Sequence, residues 1–130
     1  MENFRKFVSS SGLEIFGGKS AENNDALVFS ASPGDVLLHT SEPGSPFVNV
    51  GSSPSKNDLY EAVVFCAKYS QDWRKGKRDI IVNKFMRSDM NKSPKMKAGS
   101  WNVSKQEKVK VKKADILKFE ESLEKINETN

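Results

Sequence analysis

The chain has 130 residues, of which 36% are hydrophobic. This length suits a domain with one core and is too short for two. The 21 Lys and Arg against 17 Asp and Glu give a net charge of +4. A single cysteine and a single histidine exclude a disulfide framework and a metal site built on several thiolates or a histidine pair. No apolar run approaches the roughly 20 residues that span a bilayer, and the first residues lack the apolar stretch of a signal peptide, so we expect a cytoplasmic protein without a membrane partner.

The first half of the chain is predicted to be mainly β-structure. Alternating residues around the turn at Ser11 and Gly12 predict a hairpin, and Ser20 is a candidate N-cap for a short helix. A loop rich in proline and glycine, residues 42–46, is expected to join the last two strands. The predicted elements are strands over residues 4–10 and 13–16, a helix over 21–29, and strands over 36–40 and 47–50.

The second half is predicted to contain two larger helices. A long helix over residues 57–74 has a wide apolar face that includes Cys66. The helix is followed by a strand over 80–85, a basic loop over 86–98 and a hairpin of 101–103 with 108–112. Alternation places Lys108, Lys110 and Lys112 on one face of the last strand. The closing amphipathic helix presents Ile116, Phe119, Leu123 and Ile126, and its tail, 127–130, is expected to fray.

These elements predict an α+β fold, with a mixed β-sheet and hairpins packed against a long central helix and a C-terminal helix. The domain is expected to span residues 4–113, with the amphipathic helix and the tail over 114–130. The apolar face of that last helix is expected to fold back onto the sheet. The alternative is that it docks on a partner protein.

Charge is distributed unevenly along the chain. Residues 1–65 hold four bases and eight acids, residues 66–113 hold 15 bases and four acids, and residues 114–130 hold two bases and five acids. Arg and Lys bind phosphates and exposed aromatic rings stack on bases, so the middle segment, which also contains Trp73 and Trp101, suggests a nucleic-acid surface. The alternatives are that the lysines only solvate an ordinary surface and that the two tryptophans lie in the core.

Several stretches together resemble the NFACT-R family, the RNA-binding domain of the NFACT proteins of ribosome quality control. They are Phe4-Arg5-Lys6-Phe7 through Gly17-Gly18-Lys19 with Glu22-Asn23-Asn24-Asp25, then Pro33–His39 with Pro43-Gly44-Ser45, the segment 61–73 with Cys66, Tyr69 and Trp73, and Gly99-Ser100-Trp101-Asn102-Val103. The resemblance covers residues 4–113. Leu37 and Pro46 depart from the commoner Trp and His and are more similar to the archaeal-type or stand-alone branch.

The resemblance implies a small RNA-binding protein without a cofactor, with tRNA or ribosomal RNA as its partner, in translation quality control or alongside an RNA-modification enzyme. Basic residues of the 66–113 segment are expected to bind phosphates. A local nucleotide site is expected around Asp35, His39, Gly44 and Ser45, with Trp73 as a stacking surface. The expected phosphate-binding residues are Arg74, Lys75, Lys77, Arg78, Arg87, Lys92, Lys95 and Lys97.

Each of these site residues also has a structural interpretation. His39 is at a strand end, where it can bind a phosphate or a 2′-hydroxyl or be an ordinary structural residue. Asp35 can orient His39 or only stabilise its turn. The backbone around Gly44 can form an anion-binding nest or only a stiff connection, and Cys66 is expected to be a core residue.

Catalysis is not expected. The HExxH, GxxxxGK[ST], GxGxxG and GxSxG motifs are absent from the sequence, and sulfur transfer requires a reactive exposed thiol. The competing hypotheses are a protein-interaction module that uses the C-terminal helix and an RNA-modification enzyme or its subunit. The sequence leaves the oligomeric state open.

Overall fold

A computed structural model describes the backbone of residues 3–129 and the side chains of residues 3–125. The side chain of Ile126 lies outside the described residues, so its predicted role stays a prediction. The tail is predicted to fray over residues 127–130, whereas the backbone of 127–129 belongs to the last helix. The strands are β1 (Arg5–Val8), β2 (Glu14–Gly17), β3 (Val36–Thr40), β4 (Val48–Gly51), β5 (Ile80–Met86), β6 (Met90–Asn91), β7 (Asn102–Val103) and β8 (Glu107–Val111). The helices are α1 (Ala21–Ser30), α2 (Lys56–Lys68), α3 (Gln71–Lys75) and α4 (Lys113–Thr129).

Six strands form one sheet in the order β1-β2-β4-β3-β5-β8, and each neighbouring pair is antiparallel. Strands β6 and β7 form a separate ribbon. The α+β architecture predicted from the sequence is confirmed. In the described part of the chain no helix is long and apolar enough to cross a membrane.

The sheet has an apolar layer on each face because successive side chains of a strand point to opposite sides. In β3, Leu38 belongs to the core beneath α2, while Leu37 belongs to a second core with Leu27 and Val28 of α1. Met90 and Val103 of the small ribbon contribute to this second core. Helix α1 and the ribbon therefore cover the face opposite α2, and the candidate site lies between the start of α1 and α3.

The long helix predicted over residues 57–74 is two helices in the structure. Helix α2 ends at Lys68, and Ser70 begins α3 as its N-cap, with its Oγ accepting from the Trp73 N–H at 3.2 Å. The same hydroxyl donates to the Ala67 carbonyl at 2.7 Å. A serine satisfies backbone groups at a helix end better than in a helix interior, so the chain turns here and α3 takes a new direction.

The hairpin predicted between residues 101–103 and 108–112 is wrong. Strand β7 pairs with β6, and β8 pairs with β5 at the edge of the main sheet. Ile80 lies opposite Val111 and Val82 opposite Val109, and all four side chains pack in the core beneath α2. A local hairpin would have left those residues in solvent.

The C-terminal helix folds back on the domain. Ile116 is fully buried in the core beneath α2, and the Phe119 ring meets the Phe7 ring edge-on with centroids 5.3 Å apart. Tyr60 of α2 donates to the Asp115 carboxylate. The apolar face offered for a docking partner is thus occupied by the domain itself over residues 116–119.

Candidate nucleic-acid interface

A cleft of about 470 Å³ opens between the start of α1 and α3, next to the C-terminal end of α2. Its walls come from the loop around Gly44, from α3 and from residues 97–100. None of the described residues that line it is an Asp or a Glu. We call this feature the cationic cleft because four basic side chains line it, namely Arg5, Lys19, Arg74 and Lys97.

The loop around Gly44 fixes the position of α3 and thereby of Arg74. Gly44 has φ +85°, a conformation that favours glycine, and its carbonyl accepts from the Gln71 N–H at 2.7 Å. A Cβ at this position would come within 2.6 Å of the Gln71 Oε1. Because Gln71 is the first residue of α3, this bond holds the short helix against the cleft.

The floor of the cleft is held by Asn24. Its Oδ1 accepts from the Phe47 N–H at 2.9 Å, and its Nδ2 donates to the Ser45 carbonyl at 3.3 Å. A side chain at Gly18 would collide with Asn24, so α1 approaches the sheet only because residue 18 is glycine. The first turn of α1, next to Lys19, is fixed at the cleft by this packing.

A second anchor, which we call the Asp25 cluster, consists of Asp25, Lys92, Gly99 and Trp101. The Asp25 Oδ1 accepts from the Gly99 N–H at 3.0 Å, from the Trp101 Nε1–H at 2.9 Å and from the Lys92 ammonium at 3.4 Å. Gly99, with φ +83°, lies against Ala21 of α1. These contacts tie residues 92–101 to α1 and place Lys97 at the cleft.

Two residues predicted to bind phosphates have structural roles instead. The side chain of Lys92 is only 14% exposed, and besides Asp25 its ammonium donates to the Lys97 and Ser100 carbonyls at 2.8 Å each. The Arg87 Nε donates to the Val28 carbonyl at 2.8 Å, and its guanidinium lies 5.1 Å from the centre of the Trp101 ring. The Lys92 ammonium and the Arg87 Nε–H are therefore hydrogen-bonded within the domain.

The basic residues after α3 do not form one surface. Lys77 lies over the Trp73 ring and pairs with Glu120 at 3.7 Å, and Arg78 pairs with Asp72. Lys75 and Lys95 are exposed but do not line the cleft. Of the eight predicted phosphate-binding residues, the structure therefore brings only Arg74 and Lys97 to the cleft.

The prediction that Trp73 stacks on a base is wrong. Its side chain is 1% exposed, and its Nε1–H donates to Glu120 at 3.0 Å. Burial alone would raise the pKa of Glu120, but the hydrogen bonds from Trp73 and Lys68 lower it overall. Trp73 is thus a core residue that joins α3 to α4. Trp101, by contrast, is half-buried.

Asp35 and His39 do not act as a pair. The Asp35 carboxylate accepts from the Ser32 N–H at 3.0 Å and the Asn49 Nδ2 at 3.1 Å, which stabilises the turn before β3. His39 has its Nδ1 2.7 Å from the Thr40 carbonyl. The predicted orientation of His39 by Asp35 is therefore wrong, although His39 itself lines the cleft.

His39 is a neutral residue near pH 7. Burial lowers its pKa below 6.5, and the hydrogen bond to the Thr40 carbonyl offsets this only in part. A carbonyl oxygen accepts hydrogen bonds, so the Nδ1 carries the ring proton and the Nε2 is an acceptor.

Two more residues of the predicted site belong to the loop before β4. The Ser45 hydroxyl is buried, donates to the Pro46 carbonyl at 2.7 Å and accepts from the Thr40 N–H at 3.1 Å. The carbonyl of Gly44 accepts from the Gln71 N–H, which stiffens the loop, and Gly44 lines the cleft; the anion nest of its N–H groups stays a prediction. Cys66 is fully buried, and burial raises the pKa of its thiol to about 12, so it is a core residue as expected.

Sequence reasoning missed Arg5 and Lys19, which line the cleft, and the anchor Asp25. The Arg5 guanidinium lies 4.0 Å from the centre of the Tyr69 ring, which holds it beside the cleft. Arg5 and Lys19 lie in segment 1–65, whose net charge is negative, so the charge of the segment does not indicate an anion-binding role for them. The stretch from Gly17 to Asp25 was the available signal, since it places a base directly before a helix N-cap.

The chain matches the family model described as the NFACT protein RNA binding domain over residues 3–105. Among solved structures, it is similar to the C-terminal part of the fibronectin/fibrinogen-binding protein from Streptococcus suis, with a TM-score of 0.77 and 21% identity. The alignment covers 86% of this chain and 46% of that chain, so it spans less than half of the solved one. At this identity the likeness shows the fold alone. No curated protein sequence matches the chain.

Proposed function

Because the chain belongs to the family of NFACT protein RNA-binding domains, we propose that it binds RNA without catalysis and that the cationic cleft holds the phosphate backbone. The observation that carries this proposal is the convergence of four bases, with no carboxylate among the described lining residues. Phosphate contacts supply most of the affinity of such complexes. The bases come from β1, from the residue before the α1 N-cap, from α3 and from the segment that the Asp25 cluster anchors, so the fold itself assembles the site.

The cleft is prearranged for binding. Arg5 is held over Tyr69, Arg74 is on a helix fixed by Gly44, and Lys97 follows the anchored Lys92. Side chains and loops that are already ordered lose less entropy when a ligand binds. Structured tRNA or ribosomal RNA in the cytoplasm is the partner we propose, in translation quality control or beside an RNA-modification enzyme, as in the archaeal-type or stand-alone branch.

The test is binding of labelled tRNA across a salt series, with duplex DNA as comparator. Four neutralised phosphates predict that log K falls with log salt at a slope of about −3. The double variant Arg74→Ala, Lys97→Ala should bind about tenfold more weakly, with a slope shallower by about 1.5. Both side chains are exposed, so the melting temperature should hardly change.

The matched control is Lys75→Ala, Lys95→Ala, which removes the same charge from exposed sites that do not line the cleft. We expect it to keep nearly the affinity and slope of the wild type. If both double variants lost the same tRNA affinity, the cleft would be only one part of a surface that binds polyanions in general. Absence of salt-dependent tRNA binding by the wild-type protein would contradict the proposed function.

A further inference from the structure

A second, smaller cavity of about 230 Å³ continues from the cationic cleft. The two cavities share three lining residues, His39, Gly99 and Ser100, so a ligand can extend from one into the other. We call the second cavity the aromatic recess. Its other lining residues are Phe47, Asn83, Phe85, Trp101, Val103 and Gln106.

The recess has a fixed aromatic lining. Phe47 and Phe85 are buried and meet edge-on with centroids 6.2 Å apart, and the His39 ring lies 4.6 Å from Phe47. Trp101 is half-buried and held by its bond to Asp25 and by an edge contact with Phe29 at 5.1 Å. Rings held in place in this way can contact a planar ligand without first being ordered.

The size and polarity of the recess select the ligand. Its volume is below the roughly 300–1,000 Å³ of pockets for drug-sized molecules, which suits one ring system rather than a larger group. Asn83 and Gln106 lie among the lining residues. The Asn83 Oδ1 already accepts from the Ser41 hydroxyl at 2.9 Å, so Asn83 can serve a ligand through its Nδ2 donor. Flat rings beside amides are the groups that bind unstacked bases of single-stranded RNA.

Resting on the proposed function, we propose that the aromatic recess binds one unpaired base of the RNA whose phosphates lie in the cationic cleft. His39 lies at the boundary of the two cavities, where its Nε2 can accept a hydrogen bond from the ribose 2′-hydroxyl between the base and the phosphate. The cleft then provides affinity for any backbone, and the recess provides a preference for RNA with an accessible base.

The first test needs no variant of the protein. A labelled adenosine hexaribonucleotide and an abasic hexamer with the same ribose-phosphate backbone are compared by anisotropy across a salt series. Base stacking on a protein ring predicts about tenfold tighter binding of the adenosine hexamer, with the same salt slope for both because the phosphates are equal in number. Trp101 fluorescence should be quenched by the adenosine hexamer alone, since Trp73 is buried.

The second test fills the recess. The variant Val103→Phe should bring the affinity for the adenosine hexamer down to that for the abasic one and leave the salt slope unchanged. Val8→Phe is the matched control, because Val8 is 50% exposed on β1 and lines neither cavity. It should bind both hexamers like the wild type.

The outcomes separate this inference from the proposed function. Salt-dependent binding of both hexamers with equal affinity and unchanged fluorescence would overturn the base site and leave the cleft proposal standing. No salt-dependent binding of either hexamer or of tRNA would overturn the proposed function and the base site with it.

Discussion

At the scale of single residues, the structure separates bases that face the cleft from bases that hold the fold together. Lys92 and Lys97 are five residues apart in one basic segment, and because both are lysines the sequence does not show which of them faces the cleft. Lys92 lies beneath Trp101 with three oxygen partners, while Lys97 lines the cleft. The difference comes from Asp25, 67 residues earlier in the chain than Lys92, and local sequence patterns do not contain such long-range contacts.

His39 carries a prediction about pH. Its pKa is lowered in the folded protein from the value of 6.5, mainly by burial, so the unfolded chain binds the proton more strongly. Stability is therefore full above pH 6.5 and is lost as the pH falls from there through the folded-state pKa. Carboxylates titrate mostly below about pH 5, which leaves His39 as the main cause of any change between about pH 7 and 5.

Denaturant unfolding at several pH values checks this prediction, and the NMR titration of the chain's single histidine gives its pKa directly. We expect a midpoint below 6.5 and a free energy of unfolding that falls over this interval. The variant His39→Gln should lose most of this dependence of the free energy of unfolding on pH. A midpoint above 6.5 would mean that the ring is charged near neutrality and is not a hydrogen-bond acceptor at the Nε2.

At the scale of secondary-structure elements, most strands and helices follow from local patterns, whereas their partners do not. The hairpin β1–β2, helix α1 and strand β3 lie close to their predicted bounds because turn residues, an N-cap and alternation identify them. The division of the long helix depends on how Ser70 uses its hydroxyl. The pairing of β8 with β5 joins residues 23 to 31 positions apart, which is beyond local periodicity.

The Asp25 cluster gives the prediction at this scale. Asp25→Ala removes the shared acceptor of Lys92, Gly99 and Trp101. Loss of charge-assisted hydrogen bonds in a partly buried site costs about 1–3 kcal/mol. We expect faster hydrogen exchange at the amides of residues 97–101, and weaker tRNA binding because Lys97 is no longer held at the cleft.

The control for this variant is Asp89→Ala, whose carboxylate is not part of the cluster. It should leave exchange in residues 97–101 and tRNA affinity near the wild-type values. If Asp25→Ala bound tRNA as well as the wild type while exchange in this segment rose, the position of Lys97 would not matter for binding. The cluster would then be an element of stability alone.

At the scale of the whole molecule, the sequence predicts the fold class and the family but not the location of the site. The basic segment 66–113 is distributed over several surfaces of the folded domain. Part of it is the row of exposed lysines on β8, including Lys108 and Lys110. The cleft combines two of its bases with Arg5 and Lys19 from the acidic segment, because the chain order in the sheet brings distant segments together.

The central claim is therefore about location, namely that RNA lies in the cationic cleft rather than along the β8 lysines. The most direct measurement is a titration of the ¹⁵N-labelled protein with tRNA or a short RNA, followed by amide chemical shifts. We predict that the shifts concentrate at the cleft, at Lys19, Gly44, Arg74 and Gly99, with little change at Lys110, which lines neither cavity. Shifts centred on the β8 lysines, with the cleft amides unmoved, would contradict the account.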